Sequence, residues 1–152
     1  MAESLPDIYI EKKAWEQIFE ALRYALKHEV QFFGRGTYAD QFPEGVTPKG
    51  QYVLHEIIIP PQEVTGAFTD TGEGATNVAA LNFIIVEALR LGLPIAGWNF
   101  WGHTHPGMST RPSTQDHDNM LQWAKQWGRA IGAVFNEKNE ITGWGAGPHP
   151  MF

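Results

Sequence analysis

An apolar, aromatic-rich run from Ile95 to Trp101 leads straight into Gly102-His103-Thr104-His105-Pro106, and after six further residues the chain reads Ser113-Thr114-Gln115-Asp116. No other stretch constrains the fold as tightly. Alternate side chains of an extended strand share a face, so His103 and His105 point the same way. The segment Pro106–Pro112 holds Gly107 and two prolines and reads as a loop that turns the chain. A helix then begins at Ser113, which returns Asp116 to the imidazoles. Two histidines and an aspartate are ligands of the kind a catalytic zinc accepts, with a fourth position left for water.

The rest of the chain supplies a frame for this junction. From Ala14 to Lys27 the apolar residues Trp15, Ile18, Phe19, Leu22, Ala25 and Leu26 follow the spacing of an amphipathic helix. A short strand is expected over Glu29–Phe33, broken at Gly34-Arg35-Gly36. Thr37–Gly50 is polar and rich in Gly and Pro, and reads as a loop. Tyr52–Ile59 is a β-branched run stopped by Pro60-Pro61, hence a strand, and Val64–Thr69 is a candidate for another. Ala75–Leu91 reads as a helix dense enough in apolar residues to be buried on more than one side, capped by Gly92. Ile95–Trp101 is expected to be a strand with Trp98 and Phe100 on the face opposite Trp101. Ser113–Trp127 is a third helix. Ile131–Asn136 and Ile141–Trp144 are strands around the turn Glu137-Lys138-Asn139, and Gly145–Phe152 is an irregular tail. The order predicts an α/β protein: one domain over 1–152, a mixed central sheet with flanking helices.

Composition narrows the function classes. The 152 residues suffice for one domain with a real core. A net charge of −6 argues against a nucleic-acid surface, which needs clustered Lys and Arg. There is no cysteine, so disulfides and thiolate metal sites are excluded and any metal must be held by His, Asp or Glu. The N-terminus shows no signal peptide, and no apolar stretch reaches the roughly 20 residues that span a bilayer. A soluble, cytoplasmic protein is the default expectation.

The spacing H-x-H, seven residues, S-x-x-D, with Trp101 two positions before His103, resembles the signature of the JAMM (MPN+) zinc metalloproteases. The resemblance covers the chain from the first helix to the final strands. It implies the MPN fold, with layers like those of cytidine deaminases. It also implies a Zn2+ ion held by His103, His105 and Asp116, and hydrolysis of a peptide or isopeptide bond by a glutamate-activated, zinc-bound water. The family's glutamate base stands after the first helix, at the start of a strand, and Glu29 occupies that place. Small residues often follow it in the family, where this chain has Gln31 and Phe32. Glu44 and Glu56 are the other candidates. Ser113 takes the place of the residue that donates to the oxyanion of the tetrahedral intermediate. The implied partner is a protein or peptide substrate, including a ubiquitin-like conjugate. Eukaryotic deubiquitinating members carry insertions that grip ubiquitin, one of them after the S-x-x-D helix. The compact run from Asp116 to Ile131 leaves little room for one and resembles the small stand-alone prokaryotic or phage type.

Plainer readings compete at each position. Ser113 to Asp116 is also a variant of the capping box that begins many helices. His28 suits a helix end, His117 could support the site from behind, and His55 and His149 read as a strand and a tail residue. Asp118 lies off the ligand spacing. The alternative for the whole chain is a metal-free MPN-type scaffold that mediates protein assembly. A zinc base deaminase of the H-x-E…P-C-x-x-C form is excluded by the lack of cysteine.

Overall fold

The computed structural model describes residues 7–25, 29–47, 50–60, 74–105 and 109–147. They form a mixed α/β arrangement in which one six-stranded sheet carries helices on both faces. The strands are β1 (Ile8–Ile10), β2 (Gln31–Tyr38), β3 (Tyr52–Ile58), β4 (Phe100–Thr104), β5 (Ala130–Phe135) and β6 (Ile141–Ala146). The helices are α1 (Lys12–Ala25), α2 (Gly74–Leu91) and α3 (Thr114–Trp127). The spatial order is β1-β3-β2-β4-β5-β6. β1 lies parallel to β3 and β4 parallel to β5, while the β3–β2, β2–β4 and β5–β6 pairs are antiparallel. No described helix is long and apolar enough to cross a membrane.

The alternation of the strands sorts the core into two clusters. On one face Phe32, Leu54, Phe100, Ile131 and Phe135 pack against Ala14 and Ile18 of α1. On the other, Phe33, Trp101 and Val134 meet Ala80, Ile84 and Ala88 of α2 and Met120 and Trp123 of α3. β4 and β5 have every residue buried, as strands covered on both faces should.

Several expectations need correction. β2 does not break at Gly34-Arg35-Gly36 but runs through it to Tyr38, with a bulge between Arg35 and Gly36. The glycines are there for space. A Cβ on Gly34 would lie 2.5 Å from Leu54 Cδ1, and one on Gly36 would lie 2.1 Å from the Tyr52 hydroxyl. The expected loop therefore loses Thr37 and Tyr38 to the strand and Ala39–Gln41 to a 3₁₀ turn. β4 begins at Phe100 rather than Ile95, because Gly97 takes a φ of +90°, outside the extended region that regular strand pairing uses. Trp98 accordingly precedes the strand, donates its indole N–H to Pro94 O at 2.9 Å, and packs in the same cluster as Trp101.

From Ala80 onward, α2 buries Ala80, Ile84 and Ala88, one residue per turn, while Val86 and Leu89 are 65% and 63% exposed. A helix lying on a sheet meets it with one face, whatever the composition of the other. α1 starts at Lys12, two residues before the expected Ala14, and its expected end at Lys27 lies outside the described residues. So do the candidate strand Val64–Thr69, His28 and His149. The final hairpin is longer than expected, since β6 takes in Gly145 and Ala146. At its turn, Asn136 Oδ1 accepts from the backbone N–H of Lys138 and Glu140, both at 3.0 Å.

Gly132 is the tightest joint between β4 and β5. A Cβ there would meet the Trp101 carbonyl oxygen at 2.0 Å and Met120 Cε at 2.6 Å. Backbone cannot yield as a flexible side chain can. Overpacking of this kind costs about 1–3 kcal/mol or more. Gly132→Ala should therefore lower the urea midpoint clearly, and an unchanged midpoint would contradict this packing.

Candidate metal centre

Three elements meet at the C-terminal end of β4. β4 carries His103 within the strand and His105 just beyond it, and both are buried. The His105 backbone N–H donates to Phe135 O at 2.8 Å, which keeps the chain beside β5 past the end of regular pairing. On the other side, Thr104 N–H donates to Val30 O (3.0 Å) and Val30 N–H donates to Thr104 Oγ1 (2.9 Å). This pair fixes Glu29, which precedes β2, next to the histidines.

The third element is the start of α3. Ser113 is its N-cap: Asp116 N–H donates to Ser113 Oγ at 3.0 Å, and Ser113 N–H donates to Asp116 Oδ2 at 2.8 Å. The capping reading of this segment is therefore realised. It does not compete with the ligand reading, because the same Oδ2 lies 3.1 Å from His103 Nε2 and 3.4 Å from His105 Nε2. The cap holds the carboxylate where the imidazoles need it.

The two Nε2 atoms are 3.1 Å apart. Donors placed 2.0–2.1 Å from a tetrahedral zinc lie about 3.3 Å from one another. The three separations of 3.1, 3.1 and 3.4 Å fit the edges of such a tetrahedron. Glu29 Oε1 is 3.9 Å from His103 Nε2, just outside that triangle, and its side chain is 43% exposed. One atom from each of the four residues lies within 4.8 Å of the others, so together they could hold a metal ion.

Electrostatics and tautomers agree with a cation site. His105 Nδ1 lies 3.0 Å from Ser109 O. A carbonyl only accepts, so this nitrogen carries the proton, and Nε2 is the ring nitrogen turned to the cluster. Burial pushes the Asp116 carboxyl up. The His103 hydrogen bond and charge and the two Ser113 bonds outweigh it and hold the carboxyl at about 2. Asp116 is thus ionised at any pH near neutrality. The Asp116 negative charge stands against the Nε2 atoms of His103 and His105, a donor set that a divalent cation could take. Imidazole and carboxylate together suit zinc better than magnesium or calcium, which favour all-oxygen shells.

The other candidates stand elsewhere. Glu56 is buried in an ion pair with Arg35, and Glu44 is exposed in the loop after β2. His55 lies between Glu11 and Thr37, bonded at 2.7 and 2.8 Å. His117 and Asp118 are exposed on α3, with the His117 ring edge-on to Trp144. Sequence reasoning gave no part to Trp144, Thr104 or Gln31. Trp144 approaches His103 from β6 with ring centroids 5.9 Å apart, a contact between strands that no spacing in the sequence announces. The one local signal is Gln31, a polar residue directly before Phe32 and Phe33.

No protein family's model matches this chain, and no curated protein matches it.

After zinc loading and removal of excess metal, elemental analysis should find about one zinc per chain, the number that one set of three ligands implies. His103→Ala and Asp116→Ala should lose it, and Glu29→Gln should keep it. Full zinc occupancy in Asp116→Ala would reduce Asp116 to a helix cap.

Proposed function

We propose that this chain is a zinc-dependent hydrolase of the JAMM (MPN+) type, with the fold of that family, cutting a peptide or isopeptide bond in a protein substrate such as a ubiquitin-like conjugate. One observation carries the reading. Three buried donor atoms sit at tetrahedral edge spacing, and a separate, more exposed carboxylate stands just outside them. A purely structural metal site closes its shell with four protein ligands, whereas a catalytic one keeps an open position.

When bound, zinc would supply an acidified water and a Lewis acid for the substrate carbonyl. The chain's own residues account for the rest. Glu29 is held by the Val30–Thr104 pair and is open to solvent, so its carboxylate can accept a proton in the pocket and return it to the leaving amine. Asp116 is the weaker base, because its carboxyl is held at about 2 and its Oδ2 is committed to His103 and the Ser113 N–H. The Ser113 hydroxyl accepts from Asp116 N–H, which leaves its own proton free to donate. Ser113 is exposed at the lip of the helix, within reach of a bound substrate. Its donation to a developing oxyanion would add to the rate.

Zinc-loaded wild type and Glu29→Gln, incubated with unfolded peptides and ubiquitin-like conjugates, should differ in one respect. Mass spectrometry should find cuts made by the wild type alone, and the bonds cut separate peptidase from isopeptidase. Equal cleavage by Glu29→Gln would remove Glu29 as the base. Ser113→Ala loses a helix cap worth about 1 kcal/mol. If Ser113 also donates to the oxyanion, kcat should fall about 10²–10³-fold at unchanged zinc content. An unchanged kcat would leave Ser113 as a cap only.

A further inference from the structure

We propose that Gln31 is a positioning residue for the metal centre: acting through Trp101, it fixes the plane of the His103 ring. This rests on the zinc reading above.

A metal-bound histidine ordinarily donates its second ring nitrogen to a carboxylate, a carbonyl or water, which sets its orientation. His105 follows this rule through Ser109 O. His103 does not. Its Nδ1 is buried and has no hydrogen-bond partner among the described residues. Aromatic packing restrains the ring instead. Trp101 stacks on it with centroids 4.7 Å apart and planes 23° apart. Trp144 meets it edge-on at 5.9 Å and 84°, and also meets Trp101 edge-on at 5.8 Å.

One anchor of the Trp101 indole can be altered without touching either ring. Its Nε1–H donates to Gln31 Oε1 at 3.2 Å. Gln31 stands directly opposite His103 in the β2–β4 register and is only 7% exposed. A buried indole N–H without an acceptor is costly, so swinging the indole away from Gln31 is disfavoured. The amide therefore sets the tilt of Trp101, and Trp101 sets the surface on which the ligand ring lies. Gln31 is also two residues after Glu29, so the same contact ties the base-bearing segment to the ligand strand.

The test compares wild type, Gln31→Met, Trp101→Phe and the double variant. Two quantities are read: zinc affinity by competition with a chromogenic chelator, and the visible absorption bands of the cobalt(II)-loaded protein, which report ligand geometry. Gln31→Met should weaken zinc binding by about 10- to 100-fold, the usual cost of losing an outer support, and should shift the cobalt bands. Trp101→Phe, which removes the indole N–H, should do likewise. Adding Gln31→Met to Trp101→Phe should change nothing more, because one pathway has already been cut. Unchanged affinity and bands in Gln31→Met, or independent and additive effects of the two substitutions, would overturn the proposal. If Gln31→Met does not fold, Trp101→Phe reads the same bond, and unaltered affinity and bands there would overturn it equally. A wild type that takes up neither zinc nor cobalt would overturn the metal reading itself, and this proposal with it.

Discussion

The Asp116 carboxylate has two duties, and the site depends on both. Its Oδ2 closes the first turn of α3 by accepting from Ser113 N–H, and the same atom faces His103 and His105. A carboxylate at a helix N-terminus is favoured by the helix dipole as well as by the cap. The energy that starts the helix therefore also pins one corner of the donor triangle. The other two corners are pinned by the sheet. β4 lies between β2 and β5, so His103 comes from a strand whose backbone is bonded on both sides.

This rigidity has a plain source in packing. The residues beneath the donors are large rings or none at all. Trp101, Trp144 and Phe33 fill one face, and Gly34, Gly102 and Gly132 leave room where strands and rings approach most closely. A Cβ on Gly102 would lie 2.2 Å from the Phe32 ring. Such a core has little freedom to shift a donor by the fraction of an ångström that distinguishes a metal site from a hydrogen-bonded cluster. The exposed stripe on α2, by contrast, lies away from this work and tolerates apolar side chains in water.

How far the sequence foretold this depends on what kind of signal each element has. The helices were readable, because their apolar spacing and the cap at Ser113 are local. β3, β5 and β6 were readable, because they are β-branched or apolar runs between turn residues. The full length of β2 is not legible, since glycine in a sequence reads as a break, whereas here Gly34 and Gly36 clear space for Leu54 and Tyr52 from the next strand. The start of β4 is not legible, because nothing in the letters says that Gly97 adopts a positive φ. The same contrast holds at the site. His103, His105 and Asp116 stand close in sequence and could be grouped by spacing. Glu29 could be chosen over Glu44 and Glu56 only by its place after a helix, and the structure brings it alone of the three into the cluster. Gln31 and Trp144 reach the site across strands, and long-range register is what a single sequence encodes least openly.

The claim on which the rest turns is that one zinc ion sits among these donors. Anomalous diffraction from crystals of the zinc-loaded protein, recorded on both sides of the zinc absorption edge, tests it most directly. A single strong peak is expected within bonding distance of His103 Nε2, His105 Nε2 and Asp116 Oδ2, with the Glu29 carboxylate beyond bonding distance. A peak at other residues, a shell closed by Glu29 as a fourth protein ligand, or no peak at this cluster would contradict it.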